Sequence, residues 1–159
     1  MLSWLETTSL ALWVRESLWG WPITLTAHAV GTAMVVGIIF VTSLRLFGFF
    51  QPIPYGIVNR LLALAWIGIA INVISGFSLF TSNATNYAVA GSFIVKMAFV
   101  ISGIVVTWYM QKIARRDAMA WQAAGAVSPL GLKLAIGSFA IWTCVLVTGR
   151  LMAYLGLYD

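Results

Sequence analysis

The sequence predicts an all-α integral membrane protein, a four-helix bundle preceded by an interfacial amphipathic helix, as a single domain over residues 1–159. Three observations predict it. The 159 residues are 62% hydrophobic and 8% charged, whereas a soluble domain carries about 25% charged residues. Four apolar runs are long enough to cross a hydrocarbon core of about 30 Å, which takes about 20 helical residues. The carboxylates Glu6, Glu16, Asp117 and Asp159 all fall outside those runs.

The first 20 residues differ from the rest. Ser3-Trp4-Leu5-Glu6 has the spacing of a capping box. In the helix it would open, over about residues 3–19, Leu10, Trp13, Val14 and Leu18 fall on one face. Trp4, Trp13, Trp19 and Trp21 gather here, and indole rings favour the headgroup level. The segment reads as a helix lying on the membrane surface that turns at Gly20-Trp21-Pro22 into the first span. No basic n-region with a small-residue cleavage site is seen, so a cleaved signal peptide is not expected.

Spans are predicted over 22–47, 57–80, 93–113 and 130–155. Pro52 and Pro54 break the first connection, and the polar run from Thr81 to Asn86 turns the chain between the second and third spans. Residues 114–128 read as a second surface piece, with Arg115, Arg116 and Asp117 wet and Trp121 interfacial. Pro129 lies at the start of the fourth span, where a missing N–H costs little.

Arg45, Arg60, Lys112, Arg115, Arg116 and Lys133 gather at one end of the spans, against Asp117 alone. By the positive-inside rule that end is cytoplasmic. A multi-pass protein of a bacterial inner membrane is then expected, with both termini periplasmic. The net charge of +5 thus reads as a topology signal. No basic helix with interleaved aromatics points to nucleic acid. Cys144, the lone cysteine, offers neither a disulfide nor a paired metal site and reads as packing.

Ionisable residues at membrane depth are costly and mark functional sites. His28, the only histidine, lies about 9 Å into the first span at about 1.5 Å per residue. Lys96 enters the third span and Arg150 leaves the fourth at a similar level, while Asn72 and Ser75 occupy the outer half of the second. Small residues share their faces: Thr24 and Gly31 with His28, Gly68 and Gly76 with Asn72, Ser92 and Gly103 with Lys96. Such residues let helices approach where van der Waals packing drives association. An outer-leaflet cationic pocket is expected, with Glu16 at hand as a counter-charge.

The most specific occupant is haem b, with His28 as axial metal ligand and its propionates against Lys96 and Arg150. Met34, Met97 and Met152 exist as further donors, but none is placed opposite His28. A quinone or an anionic lipid head asks less of the sequence. In a structural or assembly protein without cofactor, Lys96 and Arg150 snorkel to the headgroups, His28 bonds a backbone carbonyl and Asn72 joins helices. Copper handling is the third reading, weakened by the single histidine. Paired carboxylates, a Ser-His-Asp set, HExxH and a phosphate-cradling glycine loop are all missing from the sequence, so a non-catalytic subunit is favoured. Four short helices enclose little interior. A homo-oligomer or larger membrane complex is therefore expected in addition to the lipid bilayer.

Several short motifs run along nearly the whole chain: Arg15-Glu16-Ser17, Trp21-Pro22, His28 with Gly31, Leu44-Arg45-Leu46-Phe47-Gly48, Gly76 with Leu79-Phe80, and Ser82-Asn83-Ala84. Phe93, Lys96, Trp142, Gly149-Arg150 and Ala153-Tyr154 complete the set. On these residues the chain resembles a family of bacterial four-helix inner-membrane proteins with a domain of unknown function, distantly similar to the membrane domain of copper-resistance protein D. The resemblance implies metal or cofactor handling at the outer face and no particular activity. Members carry an aspartate before the Leu-Arg-Leu-Phe-Gly run; here the residue is Ser43, so no carboxylate partner for Arg45 is implied.

Overall fold

A computed structural model describes residues 2–155, the side chains of Ala153 and Leu155 excepted. Asp159 and the predicted placement of the C-terminus lie outside the described residues. Four long helices, α3 (Gly20–Leu46), α4 (Tyr55–Thr81), α6 (Gly91–Ala124) and α7 (Pro129–Leu155), follow two short ones, α1 (Ser3–Glu6) and α2 (Ser9–Glu16); α5 (Ala84–Tyr87) joins α4 to α6. Each long helix contains an apolar stretch able to cross a membrane. Contacts run α3–α4, α4–α6, α6–α7 and α7–α3, which closes the four-helix bundle. The fold class is therefore the one the composition predicts.

Local chemistry sets the ends of these helices. Ser128 caps α7, its hydroxyl accepting from the Gly131 N–H at 3.2 Å, and Pro129 occupies the first helical position. Gly125, at φ 65°, takes the left-handed conformation that closes α6. The α3–α4 link bends through Gly48 and Phe50, both at positive φ, and Pro54 precedes α4.

The third span departs from expectation. Residues 114–124 form no separate surface piece, because α6 continues unbroken to Ala124. Ala, Met, Gln and Arg there are good helix formers. Ala114, Ala118 and Trp121, spaced i, i+4, i+7, are buried. Trp121 is 3% exposed and meets Tyr55 edge-on at 5.9 Å, so it is a core residue and not an interfacial one. Arg115 and Arg116 are exposed on the other face of the helix.

The N-terminal helix differs too. It is two pieces, broken at Thr7-Thr8, and Ser3 makes no capping bond. Thr8 is the working cap, accepting from the Ala11 N–H at 3.3 Å. Glu6 instead reaches α5, where its carboxylate accepts from the Thr85 N–H at 2.8 Å and hydroxyl at 2.6 Å. These bonds hold the Glu6 carboxyl below its ordinary pKa. Of the predicted apolar face only Val14 is buried, together with Ala11, while Leu10, Trp13 and Leu18 are exposed. At the turn into α3 a Cβ on Gly20 would lie 2.0 Å from the Trp13 carbonyl oxygen, so only glycine fits.

The apolar core is concentrated away from this end. Val35, Ile39, Val58, Leu62 and Met110 are buried together, in the half of the bundle nearer the basic residues. Toward the terminal end, where α1, α2 and α5 lie, the buried positions of α3 and α4 include Gly20, Thr24, Gly31, Ser75, Ser78 and Thr81. The side chains buried toward the terminal end are thus small and polar, whereas those in the basic half are mostly large and apolar.

Candidate functional site

The α3–α4 seam is built on glycines. A Cβ on Gly31 would stand 3.0 Å from the Gly68 carbonyl oxygen and 2.8 Å from Asn72 Nδ2; one on Gly68 would stand 3.1 Å from the Gly31 carbonyl oxygen. The two backbones therefore nearly touch. Two turns further along α4, Gly76 leaves the space that the His28 ring fills, since a Cβ there would lie 3.2 Å from His28 Cε1. Small-residue faces predicted from spacing are thus the faces that meet.

Hydrogen bonding across this seam fixes the His28 ring. His28 Nδ1 lies 3.1 Å from Ser75 Oγ. The Ser75 hydroxyl has a single proton, and its shortest bond is to the Ile71 carbonyl at 2.6 Å. It can then only accept from His28, which puts the histidine proton on Nδ1. Nε2 is left with its lone pair, and no side chain among the described residues bonds it. The next turn repeats the pattern: the Thr32 hydroxyl donates to the His28 carbonyl at 2.8 Å, and Asn72 Oδ1 lies 3.1 Å from the same hydroxyl oxygen. Asn72 is thus part of the seam as predicted. Thr32 was not foreseen, although it stands one turn from His28.

Lys96 approaches from the α6–α7 seam. Gly149 on α7 makes room for it, a Cβ there lying 3.6 Å from Lys96 Cε. Lys96 forms no hydrogen bond or ion pair among the described residues. Arg150 does not join them. It is exposed and stacks over Tyr154 at 5.7 Å, facing outward from the bundle. Glu16 does not reach the cluster either, because it pairs with its neighbour Arg15 at 3.3 Å. His28, Ser75, Asn72 and Thr32 form one continuous group, Lys96 lies on the α6–α7 seam, and Arg150 stands apart.

The α6–α7 seam shows the packing counterpart. Gly103 makes room for the Trp142 indole, whose N–H donates to the Thr107 hydroxyl at 3.0 Å. At the basic end Arg45 is only 5% exposed. Its guanidinium donates to the carbonyls of Ile53 and Gln51 and lies 3.8 Å over the Tyr55 ring. Ser43 is buried with its hydroxyl unpartnered, and Arg45 satisfies itself on the loop instead. Among the described residues no three His, Cys, Asp or Glu side chains gather into a metal site. No protein-family model, no curated protein and no solved structure matches the chain.

Proposed function

We propose that this chain is a non-catalytic membrane subunit that holds a ligand in the terminal half of its bundle, at His28. The observation that carries the reading is the open Nε2. A histidine whose Nδ1–H is held by a hydroxyl offers Nε2 in a fixed tautomer and direction, the arrangement that metal-ligating histidines use. Haem b is the group whose chemistry uses these residues most fully. His28 would hold its iron through Nε2, Lys96 would be an unpaired cation for a propionate, and Asn72 a polar group near His28. The group would supply one-electron redox chemistry. The chain provides a single imidazole for such a group. Residence in a bacterial inner membrane, with the termini periplasmic, belongs to the same proposal and rests on the clustering of basic residues at the other end.

A second reading, a scaffold or assembly protein without cofactor, is favoured by Arg150. An exposed arginine stacked on an exposed tyrosine behaves as an interfacial anchor for lipid or a partner. Copper handling in the manner of copper-resistance protein D would require ligands from a second chain or from methionines, given the single histidine.

Optical spectra of the detergent-purified protein, oxidised and dithionite-reduced, test the leading reading in cells supplied with haem precursor. A Soret and α-band pair lost in His28→Ala and weakened in Ser75→Ala is expected. A flat spectrum from folded protein leaves the scaffold reading in its place, and metal analysis then decides about copper.

A further inference from the structure

Beyond the His28 site, a second cluster stands at the opposite end of the bundle. Ile94, Ile101, Val105, Trp108, Lys112 and Arg115 recur on α6 at intervals of seven, four, three, four and three residues, so they form one stripe along its exposed face. From Ile94 to Lys112 the stripe is about 27 Å long at about 1.5 Å per residue, close to the thickness of a hydrocarbon core. The apolar part ends where the cations begin, in a cleft of about 330 Å³ lined by Trp108, Gln111, Lys112, Arg115 and Arg116.

The cleft is prepared for an anion. Lys112 Nζ lies 5.4 Å over the Trp108 ring and pairs with no carboxylate among the described residues. Asn59 of α4 accepts from Arg115 Nε at 3.0 Å, which fixes that side chain while leaving both terminal nitrogens free. Asp117, the nearest acid in sequence, is taken up by Arg116 in a two-pronged bond at 2.6 and 3.0 Å. Gln111 adds a buried donor: its carbonyl oxygen accepts from the Trp66 indole N–H at 2.8 Å, and its amide nitrogen has no partner. Two free cations, an unspent N–H donor and an aromatic wall thus meet at the head of an apolar stripe of membrane length.

We propose that this cleft binds the headgroup phosphate of an anionic phospholipid, with an acyl chain lying along Ile101, Val105 and Trp108. Charge complementarity selects the occupant, and the stripe distinguishes a lipid from a free phosphate ion. Lys112 and Arg115 bind the phosphate, while Gln111 donates to one of its oxygens.

Native mass spectrometry of the purified full chain, titrated with phosphatidylglycerol or with phosphatidylcholine, tests this. Wild type is expected to retain phosphatidylglycerol preferentially, and the double variant K112Q/R115Q to weaken that binding by about thirtyfold, at about fivefold per cation. K133Q removes a charge from the same end on another helix and is expected to leave binding within about twofold. An equal loss in K133Q would mean diffuse surface charge and overturn the site. Displacement of the lipid by millimolar inorganic phosphate would make it a small-anion site and overturn the lipid assignment. Each variant is first shown to keep the wild-type thermal transition. If K112Q/R115Q loses it, K112Q and R115Q are titrated singly, and phosphatidylglycerol binding unchanged in both overturns the proposal.

Discussion

Arg45 and Lys96 are both cations set within the helical bundle with no carboxylate beside them, yet they are treated in opposite ways. Arg45, at the basic end, is spent. Its N–H groups go to two loop carbonyls and its face lies on Tyr55, so the charge serves to fasten the α3–α4 link. Lys96, in the terminal half, has only the space left by Gly149. A cation answered by backbone carbonyls is structural, whereas one left unanswered is available to a ligand. The surrounding packing differs accordingly. Large apolar side chains fill the basic half, and glycines, serines and threonines line the terminal half.

The largest expected effect strikes what positions the terminal half. Gly68→Leu would place its Cβ 2.9 Å from Val35 Cγ2 and 3.1 Å from the Gly31 carbonyl oxygen. Overpacking of this kind costs about 3 kcal/mol or more where backbone must move. Thermal unfolding in detergent should show it, with Gly37→Leu, which meets open space, as the tolerated control.

The comparison itself is sharpened by Arg45→Met against Lys96→Met. Removing Arg45 leaves two carbonyls unbonded and should cost about 1–3 kcal/mol. Removing Lys96 deletes an unanswered charge and should be neutral or stabilising. If melting curves show Lys96→Met to be the more damaging, the distinction between the two cations fails.

Smaller again is Thr107→Val, which strands the Trp142 indole N–H and should cost about 1 kcal/mol, with Trp142→Phe partly restoring stability in the double variant.

The smallest effect is the pH response of the N-terminal contact. Bonds from Thr85 hold the Glu6 carboxyl below its ordinary value, so the ionised form is preferred in the fold. Its contribution is present above the ordinary glutamate pKa and is lost as pH falls through the lowered one. Amide exchange at Thr85 should quicken over that acidic window and become pH-insensitive, apart from intrinsic chemistry, in Glu6→Gln.

Much of this was legible from the residues. Apolar runs and prolines located four helices, and the spacing of Gly31, Gly68 and Gly76 identified the faces that meet. His28 and Asn72 came together across the α3–α4 seam because polar groups in spans turn toward neighbouring helices. Arg150 and Glu16 did not, since a residue near a helix end can satisfy itself locally, on Tyr154 and Arg15 respectively. The continuation of α6 was hidden because a charged run looks like a surface segment, although Ala114, Ala118 and Trp121 carry a helical stripe through it. The pairing of Glu6 with Thr85 spans 79 residues, and no local pattern announces such a bond. The motif residues gain a physical sense as well: His28 packs on Gly76, and Lys96 on Gly149.

Because His28 is the only histidine, its ring nitrogens can be read without assignment ambiguity. The most direct measurement is the ring ¹⁵N NMR spectrum of histidine-labelled protein at a pH where the imidazole is neutral. The account predicts a protonated Nδ1 and an unprotonated Nε2, with the preference lost in Ser75→Ala. An Nε2–H tautomer in the wild type would contradict it, because the nitrogen meant for a ligand would already carry a proton.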